Sequence, residues 1–442
     1  MATECHTRSG FRFQRKLKLD FDGGTITTDA GLVVLREFDE CVGLTAKLEK
    51  LVPDRRDQRY VEHPVLGLLR QRIYQIAAGY EDANDATSLR KDPTMRAVVC
   101  REQRELASQP TISRFENAID WDCIRLLENE GTEHLCRHSA RRRSKEIVLD
   151  VDSTDDRTHG QQQPTFFNQY YDSYVYHPIL VFEGDSGLLL GARLRPGNAM
   201  GARQLPALLR PILRRLRARF GRCRVALRGD SAFANHHLLR LAERHGLTYV
   251  IGIGRNKVFE RQVEGLRLQA EKLWTETHQR VRLYMSFSHQ TRSWAQARRI
   301  VAKVERTAEG LNIRFVVTNR PGTDEEIFHW YEQRGQAENF IKEFKNDVRA
   351  DRLSCSSYRA NAFRLLLHKL AYNLIVLFRG ELLRGTELAR ASISSVRLKL
   401  FKVGARVRLS CRVLWFHLAS GWPNQHLLST VMDRLAALGP PG

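Results

Sequence analysis

Residues 146–153, EIVLDVDS, decide the fold. Their β-branched content predicts a strand, and the strand period of two puts Asp150 and Asp152 on one face. Carboxylates in an otherwise apolar strand are costly unless they meet a cation. Outward from there, YVYHPILVFE (174–183) and GLLLGARL (187–194) predict two more strands, joined by a tight turn at 184–187. A helix follows, with Leu205, Leu208, Leu209, Ile212, Leu213, Leu216 and Phe220 on one apolar stripe. Pro206 suits its first turn, and Pro211 is expected to kink it. CRVALRGD (223–230) predicts a fourth strand, 236–245 a second helix and TYVIGI (248–253) a fifth strand. The order β-β-β-α-β-α-β predicts an α/β fold, one mixed sheet with helices on both faces. Asp230 ends the fourth strand, where open α/β sheets bind ligands, although a strand-end Asp also reads as a simple cap.

Residues 255–320 alternate like antiparallel strands and predict a β-rich insertion. Residues 325–348 predict a long helix. On it Tyr331, Arg334, Glu338 and Lys345 fall at offsets 0, +3, +7 and +14, within a sector of roughly 60°. Ala337, Ile341, Phe344 and Val348 form the adjoining apolar stripe. The flanking regions, 1–145 and 351–442, read as mainly helical. The first has a β-like start at 21–35 and a helix at 64–79 that stops at Gly79. The run ARRRSK (140–145) reads as a linker or a backbone-contact element.

The 442-residue chain carries 71 Lys and Arg against 50 Asp and Glu, a formal charge of +21. Such a charge repels itself unless a polyanion is the partner, which favours nucleic acid and, second, anionic membrane. Arg364, His368, Lys369 and Asn373 interrupt the most apolar stretch, so no spanning helix is expected. No secretory h-region opens the chain, and no cysteine pair has CxxC spacing, which points to free thiols in reducing cytoplasm. His134, Cys136 and His138 lack the second ligand pair that a zinc site needs. No GxxxxGK[ST] motif implies ATP. Residues 203–224 hold eight Arg and no acid, and 388–412 hold seven Lys and Arg and no acid. Such runs suit phosphate contact, and Arg210, Arg214 and Arg217 are the candidates on the first helix.

Taken together these motifs resemble a known family. YEQRGQAENFIKEFK (331–345) has the Y-x2-R-x3-E-x6-K signature of DDE-class insertion-sequence transposases, in the large insertion-sequence-4 group. LDVDSTDD (149–156), THGQQ (158–162) and LRGDSAFA (227–234) resemble the insertion-sequence 1380 branch of that group. The resemblance implies an RNase H-like catalytic domain over 146–350, with the β-rich insertion at 255–320. The terminal regions 1–145 and 351–442 are then expected to bind DNA or to dimerise. The implied triad, catalytic and metal-ligating, is Asp152, Asp230 and Glu338. Asp150 competes for the first place, and Asp155 and Asp156 read as turn residues. Arg334 and Lys345 would hold phosphates, Tyr331 would contact the backbone, and Trp294 would stack on a flipped base, although by itself Trp294 reads first as a core or hairpin aromatic. The implied cofactor is Mg²⁺, with Mn²⁺ able to substitute. The implied activity is cleavage at the element's ends and strand transfer into target DNA, cut-and-paste transposition. Its partners would be double-stranded DNA, both terminal inverted repeats and target, and a second copy in the active homodimer. The expected location is the bacterial cytoplasm, nucleoid-associated when DNA is bound. The alternatives are a DDE-type nuclease without strand transfer and a catalytically inactive DNA-binding protein.

Overall fold

Eight strands form one sheet at the heart of the chain in its computed structural model. The described residues are all except 1–7, 10, 101–103, 140–145, 159, 161, 170, 200, 203, 222 and 440–442; the expected linker ARRRSK lies outside them. Strands β1 (Glu146–Ser153), β2 (Ile179–Glu183) and β3 (Leu189–Arg193) form an antiparallel meander. Helix α1 (Leu205–Phe220) then crosses to β4 (Arg224–Gly229), parallel to β1. Helix α2 (His236–Arg244) crosses to β5 (Thr248–Ile253), parallel to β4. The resulting order, β3-β2-β1-β4-β5 with β2 antiparallel, fits an RNase H-like core.

Strand alternation sorts the two faces. Val151, Val181 and Gly191 stand in register on one face, covered by α1. A Cβ at Gly191 would lie 3.0 Å from Leu208 and Ile212, so only glycine lets that helix come so close. Asp150 and Phe182 stand in register on the other face. There Phe182 meets Phe340 at 5.7 Å and Tyr372 at 6.1 Å between ring centroids. Helix α1 buries its leucine stripe and runs through Pro211 without a break. Six buried apolar side chains flank the proline and hold the helix despite the one lost donor.

Within 255–320, helices α3 (Lys257–Gln262) and α4 (Glu264–Thr277) precede the strands, which the alternation did not suggest. Strands β6 (Val281–His289), β7 (Arg298–Thr307) and β8 (Gly310–Thr318) then join the same sheet, because β8 pairs antiparallel with β5. The expected single helix at 325–348 is three pieces. Helix α5 (Asp324–Glu332) opens with a Thr323–Glu326 capping box. At the break, the amides of Arg334, Gln336 and Ala337 bond three residues back instead of four, next to Gly335, a poor helix former. Helix α6 (Gly335–Lys342) follows, and Glu343–Asp347 closes it in a wide π turn.

The chain divides into two compact units, residues 1–118 with 377–442, and residues 119–376. The second contains the whole sheet and extends past the expected 146–350 at both ends, with helix Trp121–Ser139 and most of α7 (Tyr358–Leu382). The first is mainly helical and includes Val65–Ala78, stopped by Gly79 at φ 91°. It buries an Arg72–Glu116 ion pair at 2.8 Å. Its C-terminal part departs from the helical expectation with a hairpin of β9 (Ala405–Ser410) and β10 (Val413–Leu418). Residues 405–408 of β9 alternate between buried and exposed and 413–417 of β10 between exposed and half-buried, patterns too short to register beside the helices around them. No described helix is long and apolar enough to cross a membrane.

Candidate active site

Register brings the two aspartates together. Val151 on β1 pairs with Gly229 on β4, so the next residues, Asp152 still on β1 and Asp230 just past the end of β4, stand side by side. Neighbouring strands lie about 4.8 Å apart. Asp230 then caps a short turn by accepting from the Ala232 amide at 3.0 Å. Helices α5 and α6 bring the third carboxylate through an arginine at their junction. Arg334 Nη1 donates to Asp152 Oδ2 at 2.7 Å, and its Nη2 donates to Glu338 Oε1 at 3.3 Å. Burial disfavours a charged Arg334, but Asp152, Tyr331, Asp230 and Glu338 reverse this and raise its pKa.

Burial pushes the Asp152 carboxyl up to about 6; Arg334 opposes the rise, and the charge of Asp230 adds to it. The folded protein therefore keeps a proton that the unfolded chain has lost between about pH 4 and 6. Stability falls as pH rises through that window and stays lower above it, by up to about 3 kcal/mol. Asp152→Asn is expected to remove this dependence and to raise stability at pH 7 by about 1–3 kcal/mol, with no gain below about pH 4. Melting curves of both proteins from pH 4 to 8 check it. Parallel pH profiles would overturn it.

Beside these carboxylates lies a cleft of about 700 Å³. Asp230, Tyr331, Arg334 and Glu338 form one wall, and Arg282, Lys303 and Arg314 from β6–β8 form the other. Burial raises the Tyr331 phenol above its ordinary range. A Cβ at Gly252 on β5 would lie 2.6 Å from the Tyr331 hydroxyl and 3.0 Å from the Ser231 amide, so glycine is what seats Tyr331 there.

The other candidates divide. Asp150 is fully buried and paired with Arg228 of β4, whose Nε and Nη2 donate to its two oxygens at 2.6 and 2.8 Å. It faces this pair and not the cleft. Lys345, in the π turn, donates to Asp155 Oδ1 at 2.9 Å and to the Asp155 carbonyl at 2.7 Å. It ties down the loop after β1 and is not free to hold a phosphate as expected. Trp294 requires a correction. It is buried in the β6–β7 hairpin under Arg298 and beside His289, so its indole has no open face for a base. Arg210, Arg214 and Arg217 form an exposed row on α1, opposite the leucines. His134 and Cys136 are buried, and burial pushes the Cys136 thiol up to about 12.

Among the described residues no three His, Cys, Asp or Glu side chains gather closely enough to hold a metal ion as they stand. Arg334 supplies the positive charge between Asp152 and Glu338. The donor set still fits a hard divalent cation, being oxygen only, partly buried and drawn around one positive charge. Sequence reasoning passed over Arg228 and the arginines of the insertion. For Arg228 the signal was present: a cation in a buried strand, RVALRG, beside a strand holding a buried acid.

Residues 10–440 match the family model described as Transposase DDE domain group 1. No curated protein matches the chain. Among solved structures, the cryo-EM structure of the piggyBac transposase synaptic complex with hairpin DNA is similar at a TM-score of 0.43 and 9% identity. The match covers 94% of this chain and 86% of that one.

Proposed function

This chain belongs to the group 1 family of DDE transposase domains, and from that premise we propose that it cuts DNA at the ends of its own insertion element and joins them to a target. The motifs favour the insertion-sequence 1380 branch. The observation that carries the reading is the β1–β4 register, which sets Asp152 beside Asp230 while Arg334 ties Asp152 to Glu338. In this reading Asp152, Asp230 and Glu338 would hold Mg²⁺, or Mn²⁺ in its place, which when bound would supply charge stabilisation for an in-line displacement at phosphorus. Arg334 moves from the carboxylates to a phosphate oxygen when DNA enters, since its planar fork serves either partner. Tyr331 walls the cleft, and Lys345 positions the Asp155 loop. The arginine row of α1 tracks the backbone of duplex DNA, and two ends require two copies of the chain.

The test is a duplex carrying the DNA that flanks the gene, incubated with the protein and Mg²⁺ beside a supercoiled plasmid. Nicks at the element boundary and joined plasmid products are expected. Nicks with no joined product would make it a nuclease, and binding with no nick under any divalent metal would make it a binding protein. Replacing Arg210, Arg214 and Arg217 by Gln should reduce the steepness of the log affinity–log salt slope by about three. An unchanged slope in gel-shift titrations would take α1 out of the interface.

A further inference from the structure

The hairpin of β9 and β10 has two unlike faces. On one face Ala405 and Val407 of β9 are buried, across from exposed Leu418 and half-buried Phe416. On the opposite face Arg408 stands across from Trp415 and Arg406 across from His417, and all four are exposed. Trp415 is 53% exposed, which is unusual for the largest apolar side chain unless something covers it. The Trp415 and His417 rings lie within 7° of parallel, 6.1 Å apart. The two-residue turn joining the strands is Cys411-Arg412, with φ of 50° and 66°. That turn ordinarily takes Asn-Gly. Here it puts Arg412, exposed, at the tip.

The guanidinium groups of Arg406, Arg408 and Arg412 make no hydrogen bond or ion pair among the described residues. Their neighbours in sequence differ: Lys399 meets Glu387 and Lys402 meets Asp29. From 388 to 432 the chain contains no Asp or Glu, so no nearby carboxylate in that stretch answers these three cations. Residues 26–27 pair with this hairpin only at its Ala405–Arg406 end, so beyond Arg406 it continues as a two-stranded ribbon, one of the two elements the DNA major groove admits. Guanidiniums suit phosphates and guanine edges, and an exposed indole supplies a flat apolar surface beside them.

We propose that the face Arg406–Arg408–Trp415–His417, with Arg412 at its tip, is a duplex-DNA-binding ribbon that engages the element's end. It rests on the transposase reading for the identity of that DNA. An anionic membrane fits less well, because the exposed apolar side chains of the face, Ile26, Val413 and Trp415, are interleaved with Arg406, Arg408 and His417 and form no continuous stripe to insert.

The full-length protein, its Arg406→Gln/Arg408→Gln double variant and Trp415→Ala are titrated with an end-containing duplex between 50 and 200 mM salt. Wild type loses affinity steeply, and the double variant's loss should be about tenfold smaller. Trp415→Ala should bind about tenfold more weakly with an unchanged slope. The buried Val407 face is untouched in all three, and unchanged circular dichroism confirms the fold. Wild-type affinity and slope in both variants would overturn the proposal. That holds equally if they lose self-association, which makes the face a contact between copies, or lose binding to phosphatidylserine vesicles. Nicking by wild type is followed in the same tubes. Ribbon-dependent binding without nicking would remove the transposase reading and leave the ribbon. Nicking with wild-type binding by both variants would do the reverse.

Discussion

Glu338→Gln is expected to bind end-containing DNA as tightly as wild type and to nick it at least about a hundredfold more slowly. Glutamine keeps the length and the hydrogen-bonding capacity of the side chain and removes only its charge. Glu338 is half exposed and pairs with Arg334, so the change leaves no buried charge unpaired, and the fold should not notice it. It also frees one Nη of Arg334, which can only favour a phosphate partner. Catalysis is different. Charge stabilisation by a divalent ion is worth several kcal/mol in displacements at phosphorus, and each 1.4 kcal/mol is tenfold in rate. A site that loses one of three carboxylates forfeits a large part of that. Gel shift and strand nicking on one labelled duplex, in Mg²⁺, give both quantities. Equal nicking by the two proteins would remove Glu338 from the site.

The central sheet was legible because its strands are short, apolar and bounded by turns, and because hairpins followed by crossover helices leave few topologies. Asp152 and Asp230 could be singled out as candidates for a related reason: an acid within or just after an apolar strand has no packing purpose. The junction of α5 and α6 was not. Tyr331, Arg334, Glu338 and Lys345 share one face on an ideal helix, but tight bonding at Arg334 and the π turn at 343–347 rotate the row apart. Lys345 accordingly meets Asp155 while Arg334 meets Asp152. Periodicity assumes one twist throughout and cannot see a change of helix type. Trp294 takes the hairpin-aromatic reading and not the base-stacking one, because Arg298, which only the β6–β7 pairing brings over its ring, helps bury it. The alternation of β9 and β10 was there to be read, yet six residues of period two inside a basic helical region leave strand and helix indistinguishable.

The two aspartates of β1 should separate stability from chemistry. Asp150→Ala is expected to cost about 3–5 kcal/mol of stability, because it strands Arg228 in the core. Arg228 is 4% exposed, and its remaining partners are the Trp330 carbonyl at 3.0 Å, Gln333 Oε1 at 3.5 Å and the Trp330 ring at 4.8 Å. None of them carries a formal charge. A double change, Asp150→Leu with Arg228→Met, removes both charges and should recover most of the loss, as buried pairs replaced by apolar residues commonly do. Asp152→Asn should behave in the opposite sense, more stable at neutral pH and inactive, because ionising Asp152 is what burial opposes. Chemical denaturation and nicking assays on the four proteins give a two-by-two answer. The arrangement fails if Asp150→Ala keeps its stability and loses nicking while Asp152→Asn still cuts. That would make Asp150 the first acid and its ion pair with Arg228 a resting state of the active site. If instead the double variant regains stability and cuts DNA, the buried pair serves only to lock β1 to β4, in the register that sets Asp152 beside Asp230.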